Sequence, residues 1–102
     1  LRQGGFAEYC TAHEDYLLHL DDKYDDVHTA PLLCAGLIGF RAFNLTQPAK
    51  KIGFYGFGSS AHILTQVAVA LGCEIYAFTR SGDLKTQQFA LSLGAIWAGG
   101  SD

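Results

Sequence analysis

The feature of this sequence that most constrains its fold is a glycine-rich turn between a short apolar segment and a segment with helical periodicity. The turn covers residues 56–61, Gly-Phe-Gly-Ser-Ser-Ala, in the pattern GxGxxA. Residues 52–55 before it are mostly apolar, and residues 62–71 after it carry apolar side chains three or four positions apart. These patterns predict a strand, a tight turn and a helix in that order, with the helix ending at Gly72.

The sequence after Gly72 predicts two more strands with a helix between them. Residues 74–79 form the second predicted strand, and residues 96–98 begin the third. Between them, Ser81 or Asp83 can cap a helix that runs to about Leu93. The order is strand, helix, strand, helix, strand, which favours parallel pairing with right-handed crossovers. The predicted fold class is therefore α/β, the first half (βαβαβ) of a Rossmann-type parallel sheet.

The GxGxxA turn predicts a phosphate-binding site because it follows a strand and opens a helix. Gly56 makes the tight turn, Gly58 allows the backbone to approach a pyrophosphate, and Ala61 is small enough for close packing of helix and strand. The helix N-terminus presents free N–H groups to the anion. The alternative is a structural turn without a ligand. The predicted cofactor-binding residues of the turn are Gly56, Phe57, Gly58, Ser59, Ser60 and Ala61.

The end of the second strand indicates which dinucleotide is preferred. A site for NAD places Asp or Glu there to bind the ribose 2′-hydroxyl. Here the strand ends in Thr79-Arg80-Ser81, and Asp83 lies further along. Arg80 can pair with a 2′-phosphate, with Thr79 and Ser81 as hydroxyl donors. We therefore favour NADP over NAD; the alternative is that Arg80 is an ordinary surface residue.

The first half of the chain is less regular. Residues 6–20 predict strands or extended segments, and the acidic segment 21–26 predicts a solvated turn. A helix follows, with Thr29 as its N-cap and Pro31 in its first turn, and it ends before Pro48. Its predicted apolar face consists of Ala30, Leu33, Cys34, Leu37, Ile38 and Leu45.

Composition excludes several classes of protein. The 102 residues suffice for one domain, and 49% hydrophobic against 17% charged residues predicts a buried core. A net charge of −3 without a Lys/Arg run argues against nucleic-acid binding, and no apolar run is long enough to cross a membrane. Three cysteines without CxxC spacing indicate reduced thiols, hence a cytoplasmic protein. The absence of Met and the two chain ends suggest a piece of a longer protein.

Four stretches together resemble the zinc-dependent medium-chain alcohol dehydrogenase family, and most closely its bacterial propanol-preferring branch. They are residues 4–9 (GGFAEY), 30–36 (APLLCAG), 53–62 (GFYGFGSSAH) and 93–95 (LGA). The resemblance implies that residues 1–28 end a GroES-like catalytic domain, that 29–47 form a connecting helix, and that 48–102 are the N-terminal half of a Rossmann NAD(P)-binding domain. It also implies a small alcohol or aldehyde substrate and a homo-oligomeric parent protein.

The resemblance assigns Cys34 as one ligand of a catalytic zinc. Without it, a cysteine on an apolar helix face is more often a small buried hydrophobe. The other family ligands lie upstream of this sequence, and one thiolate cannot hold Zn²⁺. We therefore expect the chain alone to bind no catalytic zinc, to bind its cofactor weakly and to be inactive, and we assign no catalytic residue within it. The alternatives are a zinc-free quinone or enoyl reductase, against which Cys34 argues, and a non-catalytic cofactor-binding or interaction module.

Overall fold

A computed structural model of the chain describes residues 4–102. The described elements are four α-helices, three β-strands and two short 3₁₀ segments. In chain order they are a 3₁₀ segment at Glu14–Tyr16, α1 (Asp26–Thr29), a 3₁₀ segment at Ala30–Leu33, α2 (Ala35–Thr46), β1 (Lys51–Tyr55), α3 (Ser59–Ala70), β2 (Glu74–Thr79), α4 (Leu84–Ser92) and β3 (Trp97–Gly100).

The three strands form one parallel sheet in the order β1-β2-β3. Ile52 lies opposite Ile75, and Thr79 lies opposite Gly100. Because all strands run the same way, their carboxyl ends meet at one edge of the sheet, where the turn after β1 lies. The predicted α/β class and the parallel βαβαβ half-sheet are confirmed.

The core lies against one face of the sheet. Alternate residues of β2 are buried because strand side chains point to opposite faces in turn. Ile75 and Ala77 are fully buried, together with Ala68 of α3 and Ala90 of α4. Most of these core residues are small, so the helices lie close to the sheet.

The opposite face of the sheet carries aromatic rings from all three strands. The rings of Tyr55 and Phe78 are stacked with centroids 4.4 Å apart, and Phe78 lies 5.0 Å from Trp97. Tyr55 and Trp97 are exposed. This face therefore contributes little to the core of the described chain.

Helix α2 packs on α3 through a face that differs from the one predicted. Its buried residues are Gly36, Gly39 and Phe43. A Cβ at Gly39 would lie 2.9 Å from Leu64 of α3, so the missing side chain is what permits this approach. The apolar face predicted from the sequence is not the packed one. Its large residues are exposed in the described chain, with 66% exposure at both Leu37 and Ile38; the others are Leu33 and Leu45.

The prediction of strands or extended segments within residues 6–20 is met by extended backbone around a turn, and not by strands. The described part of that segment contains the 3₁₀ turn at Glu14–Tyr16 and no strand, although His13 and Leu17 on either side are extended. A strand needs a neighbour to accept its backbone hydrogen bonds, and β1, β2 and β3 pair only with one another among residues 4–102. Residues 1–3 of the predicted 1–28 domain segment lie outside the described residues.

The connecting helix is more broken than predicted. Thr29 takes the predicted N-cap position, but before a 3₁₀ segment and without a side-chain capping hydrogen bond. Asp25 caps the short α1 that precedes it by accepting a hydrogen bond from the His28 N–H at 2.9 Å. Pro31 lies in the 3₁₀ segment, and α2 begins only after Cys34. The helix ends at Thr46, before Pro48, as predicted.

The predicted elements of the second half agree closely with the structure. Helix α3 begins at Ser59, inside the predicted turn, three residues earlier than expected. Of the two candidate caps for α4, Asp83 is the one used, since its carboxylate accepts from the Thr86 N–H at 3.1 Å. The described helices include none that is both long and apolar enough to span a bilayer.

Candidate dinucleotide site

The GxGxxA turn lies where β1 ends and α3 begins. Gly56 has φ of +89°, in the left-handed region that glycine adopts without strain. Its N–H donates to the Phe78 carbonyl at 2.8 Å, which holds the start of the turn against β2. The first helical hydrogen bond runs from the His62 N–H to the Gly58 carbonyl at 3.0 Å. The predicted turn is thus built as a strand-to-helix connection at the carboxyl edge of the sheet.

The N-terminus of α3 is open for an anion. Gly58 is its N-cap and offers no side-chain oxygen, and the first turn carries no acidic residue. The N–H groups of Ser59, Ser60 and Ala61 precede the first intrahelical donor, so the helix itself does not satisfy them. A Cβ at Gly58 would meet nothing within 4 Å, so the space in front of this backbone is free. This arrangement fits a pyrophosphate.

Two side chains of the turn are occupied elsewhere in the protein. The Ser60 hydroxyl donates to the Ala35 carbonyl at 2.9 Å and so fastens α3 to the start of α2. The Phe57 ring meets Phe89 of α4 edge to face, with centroids 6.3 Å apart, and the His62 ring lies 4.9 Å from the same Phe89. Ser60 and Phe57 can therefore contribute backbone N–H groups to a ligand, while their side chains position the turn.

A cleft of about 600 Å³ adjoins the turn. Its walls are α2, β1, the glycine turn and the start of α3, and its lining is mainly apolar or backbone. The residues that line it include Gly39, Phe43, Phe54, Tyr55, Gly58 and Ser59. The open helix N-terminus thus faces a cavity of the size that small-molecule cofactor sites have.

At the end of β2, the three predicted residues have different surroundings. Thr79 is 5% exposed, and its hydroxyl donates to the Gly99 carbonyl at 3.2 Å and accepts from Gln87 Nε2 at 2.9 Å. Arg80 is exposed, and within residues 4–102 no carboxylate lies within 4.0 Å of its guanidinium. The guanidinium is therefore available to a ligand, whereas the Thr79 hydroxyl faces inward.

Sequence analysis missed an acidic residue at this edge. The Ser81 hydroxyl donates to a carboxylate oxygen of Asp102, which follows β3. That hydrogen bond lowers the pKa of Asp102. Asp102 is 21 positions away from Ser81 in the chain, and only the parallel pairing of β2 with β3 brings the two together. Parallel pairing of the strands was predicted, so the register of β2 on β3 was the signal that could have indicated the contact between Ser81 and Asp102.

Cys34 lies at the junction between the 3₁₀ segment and α2, and its side chain is exposed. Within residues 4–102, no group of three or more His, Cys, Asp or Glu side chains is placed to hold a metal ion. The described residues therefore do not assemble a group of three or more metal ligands around Cys34. Cys10 and Cys73 are also free thiols, exposed and buried respectively.

The chain is similar in sequence to proteins that are named alcohol dehydrogenases. The chain is 47% identical over 97 residues to "Probable alcohol dehydrogenase AdhA" of Mycobacterium tuberculosis, covering 93% of this chain and 28% of that protein. It is 37% identical over 94 residues to an alcohol dehydrogenase of Geobacillus stearothermophilus (90% and 27%). It is 33% identical over 95 residues to "NADP-dependent alcohol dehydrogenase 6" of Saccharomyces cerevisiae (91% and 26%). No protein-family model matches the chain.

The similarity extends over almost the whole chain but over a limited part of each relative. The chain spans 28%, 27% and 26% of the length of these three proteins. The homologues over most of this chain are alcohol dehydrogenases, which agrees with the medium-chain resemblance of the sequence.

Proposed function

From this homology to alcohol dehydrogenases, we propose that the chain is the part of such an enzyme that holds the pyrophosphate and adenosine of its nicotinamide dinucleotide. The whole enzyme would transfer hydride between a small alcohol or aldehyde and the nicotinamide. The observation that carries the proposal is the open N-terminus of α3, with Gly58 facing free space beside the cleft.

The residues of the turn bind by backbone rather than by side chain. The N–H groups of Ser59, Ser60 and Ala61 point along the axis of α3 and carry the partial positive charge of its N-terminus. A pyrophosphate in front of Gly58 accepts these hydrogen bonds without displacing any protein group. The bound nicotinamide supplies the hydride chemistry, and the chain orients the dinucleotide for it.

The preference for NADP rests on Arg80. Arg80 is exposed at the carboxyl end of β2, directly before Ser81 in the chain, and its guanidinium has no ion-pair partner in the described chain. A guanidinium binds a phosphate through paired, charge-assisted hydrogen bonds. A relative named as an NADP-dependent alcohol dehydrogenase is consistent with this preference. For Thr79 we propose a positioning role, since its buried hydroxyl joins β2 to β3.

Replacing Arg80 with alanine tests the NADP preference. We expect the affinity for 2′,5′-ADP to fall about tenfold or more, because the phosphate loses its cationic partner. The affinity for 5′-ADP should change less than about twofold, because that ligand has no 2′-phosphate. Isothermal titration calorimetry with both ligands measures the two constants. Arg41→Ala, on the exposed side of α2, is the matched control. Equal losses for both ligands would contradict the assignment.

For Cys34 we propose a role as zinc ligand in the whole enzyme. Because residues 4–102 contain no group of three or more metal ligands, the 102-residue chain should retain well under one zinc per molecule after dialysis against zinc-free buffer. Inductively coupled plasma mass spectrometry gives the metal content, with Cys34→Ser as the control. One equivalent of zinc that disappears in Cys34→Ser would show that the chain completes a site by itself.

In the whole protein, residues 1–28 would complete a GroES-like domain and residues 48–102 would begin the dinucleotide-binding domain. Residues 29–47 would connect the two domains. The compact sheet of 51–100 and the exposed segment before α1 support that division. We also propose a homo-oligomeric, cytoplasmic enzyme that takes a small alcohol or aldehyde, in keeping with its free cysteines.

A further inference from the structure

The carboxyl ends of β2 and β3 form one rigid edge. The Ser101 N–H donates to the Thr79 carbonyl at 3.0 Å, which extends the strand pairing past β3. The Thr79 hydroxyl crosses to the Gly99 carbonyl at 3.2 Å. A Cβ at Gly100 would overlap the Ser81 hydroxyl, so the end of β3 touches the segment that follows β2. The residues at the carboxyl ends of the two strands therefore lie side by side.

Asp102 contributes a negative charge to this edge, in addition to Asp83, which caps α4. Its carboxylate accepts the Ser81 hydroxyl, and Ser81 directly follows Arg80. Within residues 4–102 no Lys, Arg or His nitrogen lies within 4.0 Å of that carboxylate. The Ser81 hydroxyl holds the pKa of Asp102 below its ordinary value, so the carboxylate is charged at neutral pH. A charged acid is thus hydrogen-bonded to the residue that follows Arg80, the cation expected to bind the 2′-phosphate.

We propose that Asp102 is a second specificity-determining residue, which favours a ribose 2′-hydroxyl over a 2′-phosphate and so limits the NADP preference that Arg80 provides. This inference rests on the proposed dinucleotide site. The chain then carries both determinants at one edge, the cation after β2 and the acid after β3.

The physical reason is that the Asp102 carboxylate attracts a ribose 2′-hydroxyl and repels a 2′-phosphate, whereas the Arg80 guanidinium attracts the phosphate. A carboxylate accepts hydrogen bonds from ribose hydroxyls, which is how an acid at the end of a β2 strand selects NAD. A phosphate monoester carries nearly two negative charges and three acceptor oxygens, so it is repelled by the same carboxylate. It also competes with the carboxylate for the Ser81 hydroxyl, which can donate to one of them at a time.

Replacing Asp102 with asparagine removes the charge while keeping the shape and an acceptor for Ser81. We expect the affinity for 2′,5′-ADP to rise about threefold to tenfold, the range for relieving like-charge repulsion at a solvent-exposed site. The affinity for 5′-ADP should stay the same or fall. The difference in 2′,5′-ADP affinity between Asp102→Asn and wild type should shrink as NaCl is raised from 0.05 to 0.5 M, because salt screens charges at the surface. Asp22→Asn, at an exposed acid of the turn before α1, is the control of equal charge change.

The outcomes separate this inference from the proposed function. If wild-type chain binds both ligands and Asp102→Asn leaves the ratio of their affinities within twofold, the role of Asp102 is overturned while the dinucleotide site stands. An equal shift in Asp22→Asn would reduce the effect to net charge and would likewise overturn it. If the wild-type chain binds neither ligand, the proposed function fails and this inference fails with it.

Discussion

Replacing Gly58 with alanine should reduce dinucleotide affinity by about a hundredfold or more while leaving the free energy of unfolding nearly unchanged. Gly58 has φ of −92° and ψ of −162°, a conformation that alanine adopts freely. A Cβ there would meet no protein atom within 4 Å. The methyl group would instead stand in the space through which a pyrophosphate reaches the N–H groups of α3, and several charge-assisted hydrogen bonds would be lost together.

Affinity and stability are measured on the same samples, because Gly58→Ala should lower the first and leave the second nearly unchanged. Isothermal titration calorimetry with 5′-ADP and NADPH measures affinity, and urea denaturation of the same samples measures the free energy of unfolding. Gly5→Ala is the matched control, because a Cβ at Gly5 also meets nothing within 4 Å but lies far from the turn in sequence. Unchanged affinity in Gly58→Ala would mean that the turn is structural only. A large loss of stability would mean that Gly58 serves packing rather than ligand approach.

The second half of the fold could be predicted because its signals are local. Each element from 51 to 100 has the hydrophobic periodicity of its own helix or strand. Gly72 and Gly94 each lie two residues after the last residue of a helix, α3 and α4 respectively. The parallel pairing then follows from the order of the elements. Similarly, the glycine turn and Arg80 were found because they lie within one strand-turn-helix unit and at the next strand end.

The first half could not be predicted because its signals depend on neighbours. The periodicity of 30–45 indicated the side with the larger apolar residues, whereas α2 packs through Gly36 and Gly39, where small size permits close approach. The aromatic and aliphatic residues of 6–20 are typical of strands. A strand forms only when a second segment pairs with it, and the local sequence pattern does not identify that second segment.

The parts of the site that were missed are contacts between distant positions. Ser60 meets the Ala35 carbonyl across 25 positions, and Ser81 meets Asp102 across 21. A motif identifies which residues approach a ligand by backbone. It does not show which side chains are already hydrogen-bonded elsewhere, and for that reason the roles of Ser60, Thr79 and Ser81 needed coordinates.

Replacing Ile75 with alanine should reduce the free energy of unfolding by about 3 kcal/mol, within the range for large-to-small changes in a core. Ile75 is 0% exposed and is among the largest fully buried side chains of the described chain. Its core neighbours include Ala68, Ala77 and Ala90, which are too short to move into the space left behind. A domain of this size has about 5–15 kcal/mol of stability in total, so the loss is severe.

Urea denaturation measures the change, and Ile96→Ala is the control, since Ile96 is 57% exposed and should cost less than about 1 kcal/mol. A loss at Ile75 no larger than the loss at Ile96 would show that the helices and sheet do not form one packed core. Ile75 does not line the cleft beside the glycine turn, so NADPH at a fixed multiple of its dissociation constant should stabilise wild type and Ile75→Ala by equal amounts. An unequal increment would mean that the core and the dinucleotide site are coupled. Together with Gly58→Ala, this substitution separates what holds the sheet together from what the sheet presents at its edge.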